Sequence, residues 1–339
     1  MHLLLVSADR ALSDPLSPAF ARHAGYAALL AARVPGARLS VLLSGCGARH
    51  AAGPMRVCGV VPAGPIDAVT AQNPWSAAAW RVALARRVPF LAQLHFDPFA
   101  PAMRGRARLA RLAVGRAARL RVMAPATAEA VVRHWRIPAG SLWVAPVPIA
   151  WPQAAPAMRE ALVVGAMRLA PDRAPETWIA AAAAIARARP GVRFVLAGDG
   201  PHLARLRAMA AGLPVQLPGA LTHDALAPLL ARARLFLHTA PHEAFGRAMA
   251  EAQAAGLPVV ARATTGAEAI VADGRTGLLA QAADTLVGGA LALLDDPARA
   301  AAMGEEARRV AAARFSPADM QACVVDFLLG ERPCSTSCS

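Results

Sequence analysis

Two features that would mark a secreted or membrane-spanning protein are missing from the 339 residues. The opening MHLLLVSADR has no basic residue ahead of its short apolar run, which disfavours a signal peptide. No stretch of about 18 or more residues is free of charged and helix-breaking residues, so we predict no transmembrane helix. From these absences we expect a soluble, cytoplasmic protein.

Motifs for metals, disulfides and dinucleotides are also absent. The five cysteines form no CxxC pair and have no histidine at zinc-ligand spacing, so we predict neither a metal site nor a disulfide framework. No G-x-G-x-x-G follows the first apolar run, which disfavours an NAD site. We therefore expect a protein that works without a metal or other cofactor.

Lysine is absent as well, and all 36 basic residues are arginines. A GC-rich genome would explain the choice of arginine, but it does not explain where the arginines lie. Residues 1–150 hold 18 arginines and five acids, whereas residues 151–339 hold 18 arginines and 17 acids. A first half this basic indicates an anionic partner such as a phosphate, a nucleic acid or a membrane surface.

Short apolar runs alternate with helical patterns along the whole chain, which is typical of an α/β protein with parallel sheets. We predict strands at 2–6, 39–43, 57–61, 66–71, 89–94, 161–166, 192–198, 233–238, 257–261 and 277–280. Such a pattern predicts two Rossmann-like domains facing a central cleft, since open α/β sheets bind ligands at the carboxyl ends of their strands.

A proline-rich segment divides the chain. APVPIAWPQAAPAM, at 145–158, carries four prolines in 14 residues and is typical of a linker. The predicted domain organisation is an N-terminal domain at 1–155, a C-terminal domain at 156–315, a C-terminal helix at 316–331 that could pack back on the N-terminal domain, and a disordered tail at 332–339.

Two acids stand out in the stretch HEAFGRAMAEAQAAGLPVVA, at 242–261. Glu243 and Glu251 are eight positions apart, which is roughly 12 Å along a helix, so they cannot form a close carboxylate pair. A spacing this wide suits a ligand with two hydroxylated ends and an anion between them. Two simpler interpretations remain: Glu243 could serve the helix dipole, and Glu251 could lie on a solvated helix face.

The same stretch predicts a phosphate-binding helix. A strand ends at His238, a helix runs from about 245 to 255, and Gly256 ends it. The free backbone N–H groups at the start of a helix attract phosphate. We expect these groups near Phe245, Gly246 and Arg247.

The order of these residues resembles the E-x7-E motif of retaining glycosyltransferases of family 4, which have the GT-B fold. The resemblance covers most of the chain, strongly from about 160 to 280 and weakly before 65. It implies that Glu243 holds hydroxyls of the donor sugar and that Glu251 holds the ribose hydroxyls of the nucleotide. Phe245 and Gly246 would then open the phosphate seat between them.

A second stretch, VVGAMRLAPDRAPETW at 163–178, resembles the family turn whose two basic residues hold the donor diphosphate. Arg168 and Arg173 match those positions. Met167 stands where a glycine is usual, and Arg173 stands where lysine is more common, a swap that keeps the charge but alters its geometry. Each arginine could instead be an ordinary surface residue. Gly198, in AGDGP at 197–201, resembles a strand end that leaves room for the donor.

In the first half, PFLAQLHFDPFA at 89–100 resembles the acceptor domain of polysaccharide-building members of the family. His95 and Asp97 match a strand end that carries a histidine and an acid, and His95 could equally be a simple strand cap. The first loop lacks the Gly-Gly turn of many relatives. Arg22, placed just before the first helix, is a candidate replacement contact for phosphate or acceptor.

Seven arginines and no acid occupy MRGRARLARLAVGRAARLR, at 103–121. As a helix, this segment would carry a basic face beside an apolar one, which favours binding to an anionic membrane. An amphipathic core helix with a solvated face explains the pattern equally well. Nucleic acid is disfavoured as a partner, because no aromatic residues interleave with the arginines.

Taken together, the resemblance implies a metal-independent, retaining transferase that moves a hexose from a nucleotide diphosphate sugar to a polysaccharide or a lipid-linked acceptor. It would work in the cytoplasm or on the inner face of the membrane. A nucleotide-sugar epimerase or a sugar phosphorylase of the same fold remains an alternative. So does a non-catalytic protein that binds anionic membranes or RNA.

Overall fold

A computed structural model of the protein describes residues 1–43, 50–74, 77–100, 103–149 and 158–331. The chain divides into two compact units: unit 1 combines the first 148 residues with the segment from Ala318 onward, and unit 2 runs from Ile149 to Pro317. The division therefore lies before residue 155, the predicted boundary. Much of the proline-rich segment and the tail predicted at 332–339 lie outside the described residues.

Unit 1 is built on a sheet whose strand order is β3-β4-β2-β1-β5-β6-β7-β8. All the neighbouring pairs described are parallel except β3 with β4. The strands are β1 (His2–Ser7), β2 (Arg38–Leu43), β3 (Ala51–Ala52), β4 (Met55–Cys58), β5 (Ala68–Gln72), β6 (Phe90–Leu94), β7 (Arg119–Val122) and β8 (Leu142–Val144). The central strand β1 is buried along its whole length, as expected of a parallel strand covered on both faces.

The first helix of unit 1 begins at a residue with recognisable capping chemistry. Ser17 accepts a hydrogen bond from the Phe20 amide and Pro18 follows it, which starts the first helix. This start lies ahead of Arg22, so Arg22 belongs to the helix and does not precede it as predicted. The helices are α1 (Pro18–Arg33), α2 (Ala78–Arg86), α3 (Arg104–Val114), α4 (Pro125–Trp135) and α12 (Pro317–Leu329).

The last helix, α12, completes the core of unit 1. Phe327 is fully buried and packs edge-to-face on Trp143, with ring centroids 6.1 Å apart. Asp326 of the same helix pairs with Arg33 of α1. Arg119 donates a hydrogen bond of 2.8 Å to the Phe327 carbonyl. Contacts across almost 300 residues therefore hold α12 on this unit.

Unit 2 has a second parallel sheet, with strand order β11-β10-β9-β12-β13-β14. Its strands are β9 (Leu162–Ala166), β10 (Arg193–Ala197), β11 (Val215–Gly219), β12 (Leu235–His238), β13 (Val259–Arg262) and β14 (Gly277–Ala280). Its helices are α5 (Pro175–Ala188), α6 (Leu203–Met209), α7 (His223–Arg232), α8 (Arg247–Ala254), α9 (Thr265–Ile270), α10 (Ala283–Asp295) and α11 (Pro297–Arg314). Trp178 of α5 is fully buried and donates to the Leu237 carbonyl, which fixes α5 over the middle of this sheet.

Each of the ten predicted strands overlaps a strand of the structure. The segment 103–121 differs from its prediction, because only α3 is helical and the chain then enters β7. Arg121 lies in that strand and is fully buried. Its guanidinium donates to the carbonyls of Ala145 and Pro146 and to the side chain of Gln93. These acceptors, which come from distant parts of the sequence, stabilise the buried arginine in β7.

No helix among the described residues combines the length and the apolar character needed to cross a bilayer.

We expect Phe327→Ala to lower the free energy of unfolding by about 3–5 kcal/mol, because it opens a cavity beside Trp143 in the core of unit 1. Denaturant unfolding followed by circular dichroism measures the change. The control is Leu84→Ala, an exposed leucine on α2, which should change stability by less than about 0.5 kcal/mol. A loss as small as that of the control would contradict the assigned role of α12.

Candidate functional site

The candidate site of unit 2 lies at the carboxyl edge of its sheet. Strands β9 and β12 pair in parallel, so the loops that follow them emerge at the same edge. The loop after β9 carries Arg168 and Arg173, and the loop after β12 carries Glu243. Residues about 70 positions apart in sequence are thereby brought together.

Arg173 and Glu243 form the central contact of this site. The NH1 atom of Arg173 lies 2.6 Å from Oε2 of Glu243 and 2.9 Å from the carbonyl oxygen of His242. The second carboxylate oxygen of Glu243 accepts a hydrogen bond of 3.1 Å from the Ala244 amide. The predicted phosphate-binding cation and the predicted sugar-binding acid are thus direct partners.

The environment of Glu243 keeps its carboxyl group ionised. Burial by itself would raise its pKa, but the contact with His238, the charge of Arg173 and the Ala244 amide outweigh burial and lower the pKa to about 2. At neutral pH the group is a carboxylate that can accept hydrogen bonds. It cannot donate a proton at that pH.

Arg168 joins the same cluster through Asp172. Its NH2 atom lies 2.6 Å from Oδ2 of Asp172, and the same oxygen lies 3.8 Å from Nε of Arg173. The side chain of Arg168 is 60% exposed, which leaves it open to a ligand. One acid therefore holds the two arginines of the predicted diphosphate site near each other.

The helix predicted from about 245 begins later, at Arg247 of α8. Gly246 precedes it with a φ of 78°, and a side chain there would lie 2.2 Å from the Met249 methyl group, so only glycine fits this turn. The ring of Phe245 is buried against Phe315, with ring centroids 5.9 Å apart. Phe245 is therefore a core residue, and only its backbone lies beside the start of the helix.

Glu251 does not lie on a solvated helix face. It is buried on α8, and one of its carboxylate oxygens is 3.2 Å from NH2 of Arg247, one turn earlier. The arginine that opens the helix is thus the partner of the second acid. Each glutamate of the motif has its own arginine.

Gly198 lies where two backbone segments approach closely. Its φ is 144°, and a Cβ atom there would lie 1.8 Å from the Met167 carbonyl oxygen, so the absence of a side chain lets the β9 loop pass. That Gly198 also leaves room for the donor stays a prediction. Gly266 plays a similar part on the other side. Its amide donates a hydrogen bond of 2.8 Å to the Glu243 carbonyl, and a side chain there would collide with the Glu243–Phe245 backbone.

In unit 1, His95 follows β6 at the carboxyl edge of the sheet, as predicted. The Asn73 side chain accepts a hydrogen bond of 2.8 Å from the His95 amide. Nε2 of His95 is 3.4 Å from Oε1 of Gln93, and that oxygen also accepts a hydrogen bond from Arg121. Burial, followed by the charges of Arg121 and Arg22, lowers the pKa of His95 well below its usual value, so its ring is neutral at physiological pH.

The other residues predicted on the acceptor side, Asp97 and Arg22, lie in the turn after β6 and in α1. Asp97 accepts a hydrogen bond of 2.9 Å from the Phe99 amide, which shapes the turn after β6. The histidine beside Arg22, His23, is buried between the Ala19 carbonyl and the Gln72 side chain. Burial and then the charge of Arg22 lower the pKa of His23 to about 4.

Sequence reasoning missed Gln93, Arg121 and His238, three buried polar residues at the carboxyl edges of the two sheets. Gln93 and His238 stand in or at the end of otherwise apolar strands, FLAQL and LFLH, and that placement is the signal that could have identified them. Arg121 shares the strand RLRV with Arg119, so no such signal marks it. No group of three or more His, Cys, Asp or Glu side chains in the described part of the chain is arranged to hold a metal ion.

We expect the stabilising effect of the Glu243 charge to disappear in acid. The folded state lowers the Glu243 pKa from 4.5 to about 2, so this contribution is complete above pH 4.5 and declines as the pH falls towards 2. The difference in unfolding free energy between the wild type and Glu243→Gln should therefore shrink over this range by up to roughly 3 kcal/mol. Denaturant titrations at a series of pH values measure it.

The same pair compared in an Arg173→Met background provides the control, since the cation that favours the Glu243 charge is then gone. There the pH-dependent part of the difference should be smaller. A difference that stays constant between pH 5 and pH 3 in the wild-type background would contradict this account of Glu243.

Comparison with known proteins shows what the part of the chain around this site is similar to. The sequence profile described as "Glycosyl transferases group 1" matches residues 151–310, which include every residue of the unit 2 cluster. A GDP-mannose-dependent α-(1-6)-phosphatidylinositol dimannoside mannosyltransferase of Mycobacterium tuberculosis is 37% identical over 134 residues, covering 37% of this chain and 35% of the relative. The match thus spans well under half the length of this relative.

Solved structures share the whole architecture. The Anabaena protein HepE, in complex with UDP-glucose, is 20% identical, with a TM-score of 0.77 over 97% of this chain and 100% of the other. WaaG, a glycosyltransferase involved in lipopolysaccharide biosynthesis, is 17% identical, with a TM-score of 0.73 over 97% of this chain and 100% of the other. The predicted fold is thereby confirmed: the chain has the GT-B fold, and residues 151–310 are similar to the glycosyl transferases group 1 family.

Proposed function

We propose that the protein is a retaining glycosyltransferase of family 4 that moves a hexose from a nucleoside diphosphate sugar to a saccharide or a lipid-linked acceptor. The observation that carries the proposal is the cluster of Arg168, Arg173 and Glu243 at the start of α8. It combines two cations for a diphosphate with a carboxylate for sugar hydroxyls, inside a domain that matches the glycosyltransferase family.

In this proposal, stabilisation of the leaving group makes the largest contribution to catalysis. As the bond from the sugar to the diphosphate breaks, negative charge grows on the diphosphate, and Arg168, Arg173 and the N-terminus of α8 balance it. Arginine binds phosphate oxygens in a two-pronged fashion, which suits this task. With that much positive charge supplied by the chain, we propose that transfer needs no divalent cation.

The two glutamates then bind the two ends of the donor. Glu243 is an ionised acceptor for hydroxyls of the transferred sugar, and Glu251 is the corresponding acceptor for the ribose. Gly246 and the backbone of Phe245 form the phosphate seat between them, and Gly198 shapes the neighbouring loop. We place neutral His95 beside the reacting sugar, with Arg22 and Asp97 on the acceptor side.

The choice of base and sugar is open to direct measurement. The mycobacterial relative is described as dependent on GDP-mannose, and the HepE structure contains UDP-glucose. Turnover should be measured with both donors, and the products analysed with and without an acceptor. Transfer to the acceptor with retained anomeric configuration supports the proposal, whereas an epimerised donor or a free sugar phosphate would favour an epimerase or a phosphorylase.

We expect Arg168→Ala and Arg173→Ala each to lower kcat by about 100- to 1,000-fold with the preferred donor, because each removes a charge that stabilises the leaving diphosphate. Steady-state kinetics at a saturating donor concentration measure the effect. Unchanged turnover in both variants would contradict the proposed mechanism.

Glu251→Ala provides the contrast. Loss of a ribose contact should weaken binding of the free nucleotide, measured by calorimetry, and should reduce kcat less than the arginine variants do. A large fall in kcat with unchanged nucleotide affinity would contradict the role given to Glu251.

Helix α3 supports a second part of the proposal, that the protein attaches to anionic membranes. Its alanines face the core, while Leu109 is 54% exposed and Leu112 is 62% exposed. The neighbouring Arg108 and Arg111 are also exposed. Leucines and arginines that share one solvent-facing surface are typical of a helix that lies in a membrane interface, and a lipid-linked acceptor would be found there.

We expect Leu109→Ala combined with Leu112→Ala to lower the partition coefficient onto phosphatidylglycerol vesicles by about tenfold or more, because two leucines lose their burial in the membrane. Sedimentation with the vesicles measures it, and rising salt should weaken wild-type binding. Leu16→Ala removes a leucine that is exposed outside this helix and is the matched control. Equal binding to neutral phosphatidylcholine vesicles would contradict the electrostatic part of the proposal.

A further inference from the structure

His238 ends strand β12 and is a polar residue in an apolar setting. The three residues before it, Leu235 to Leu237, are fully buried core residues. The histidine itself is only 2% exposed. A purely structural strand end would be served equally well by another apolar side chain, so the imidazole calls for a physical reason.

The imidazole lies beside the carboxylate of Glu243. Its Nε2 atom lies 3.5 Å from Oε2 of Glu243, which is an electrostatic contact at the outer limit of hydrogen bonding. Within the described residues, neither ring nitrogen of His238 has a hydrogen-bond partner that meets ordinary geometry. Leaving a buried polar group unpaired is destabilising. His238 therefore lies beside Glu243 with its hydrogen-bonding capacity unsatisfied.

Arg173 and His238 approach the same oxygen of Glu243. The same oxygen, Oε2 of Glu243, is already bonded by NH1 of Arg173 at 2.6 Å, and the other oxygen is bonded by the Ala244 amide. Under the proposed function, Arg173 is also a ligand for the donor diphosphate. When the diphosphate draws Arg173 towards itself, the buried carboxylate loses its cation, which is costly unless another donor takes its place.

We propose that His238 is a positioning residue that takes over Oε2 of Glu243 through its Nε2–H when the donor diphosphate engages Arg173. The inference rests on the proposed function. The Nε2–H donor holds the carboxylate in place once Arg173 has turned to the diphosphate, so Glu243 stays in position to accept hydrogen bonds from the hydroxyls of the sugar. Because His238 acts only through Glu243, it affects recognition of the sugar and not recognition of the nucleoside diphosphate.

The test compares ligands with and without the sugar. Calorimetry gives the Kd of UDP, GDP, UDP-glucose and GDP-mannose for the wild type, His238→Leu and His238→Gln. For the nucleotide that binds, we expect the ratio of the Kd of its sugar form to the Kd of its diphosphate form to rise about tenfold in His238→Leu. The Kd of the diphosphate alone should stay within about twofold. His238→Gln retains an N–H donor and should recover most of the wild-type ratio.

A double-mutant cycle with Glu243→Gln separates positioning from packing. If His238 acts through Glu243, the double variant His238→Leu with Glu243→Gln should lose no more sugar affinity than Glu243→Gln does alone. Additive losses would overturn the inference, as would an equal loss for the diphosphate and its sugar form. So would an unchanged ratio in a folded His238→Leu, whose folding is checked by thermal unfolding.

The two levels of failure are distinguishable. If the wild-type protein binds none of the four ligands, the proposed function is contradicted, and so is the inference that rests on it. A wild type that binds a sugar nucleotide and transfers its sugar, together with a His238→Leu variant of unchanged ratio, removes the inference alone.

Discussion

The contact between Arg173 and Glu243 is the interaction around which the site of unit 2 is organised. It joins the loop after β9 to the loop after β12, and the surrounding backbone is arranged so that both loops can approach. The Met167 and Leu169 amides donate to carbonyls of the β10 loop, and Gly198 has no side chain where Met167 must pass. Gly266 fixes the backbone of Glu243 from the opposite side. Gly198 and Gly266 thus allow one backbone segment to approach another closely, which supports the two loops that carry the ion pair.

Charged residues lie in the interior of the molecule as well as on its surface. The basic first half is not simply a basic surface, because Arg121 is fully buried and makes its hydrogen bonds to uncharged acceptors. Among the described residues Arg121 forms no ion pair, and its charge helps to keep His95 neutral. In unit 2, by contrast, Glu243 and Glu251 each have an arginine partner. Unit 1 therefore holds the buried His23 and His95 neutral, whereas unit 2 holds the Glu243 carboxylate ionised.

Local sequence patterns were sufficient for most of the architecture. Long apolar runs such as HLLLV predicted their strands because a strand buried on both faces needs an apolar side chain at nearly every position. The pattern was insufficient where an element depends on a distant partner. Strand β7, with the sequence RLRV, looks like the end of a basic helix until the carbonyls of Ala145 and Pro146 are placed beside Arg121. The burial of the Phe245 ring also depends on a distant partner, since Phe315 lies 70 residues away.

For the site, the sequence by itself determined which groups are present and in what order along the chain. The spacing of Glu243 and Glu251, the two arginines after β9 and the glycine-rich turns were all readable from it, and they led to the correct fold. Only the tertiary structure decided how these groups are paired: Arg173 with Glu243 and Arg247 with Glu251. It also decided that His238 lies close to the first pair. The physical reason is that spacing along a helix or a strand follows from backbone geometry. The partner and the charge state of a buried group, in contrast, depend on side chains brought to it from distant parts of the sequence.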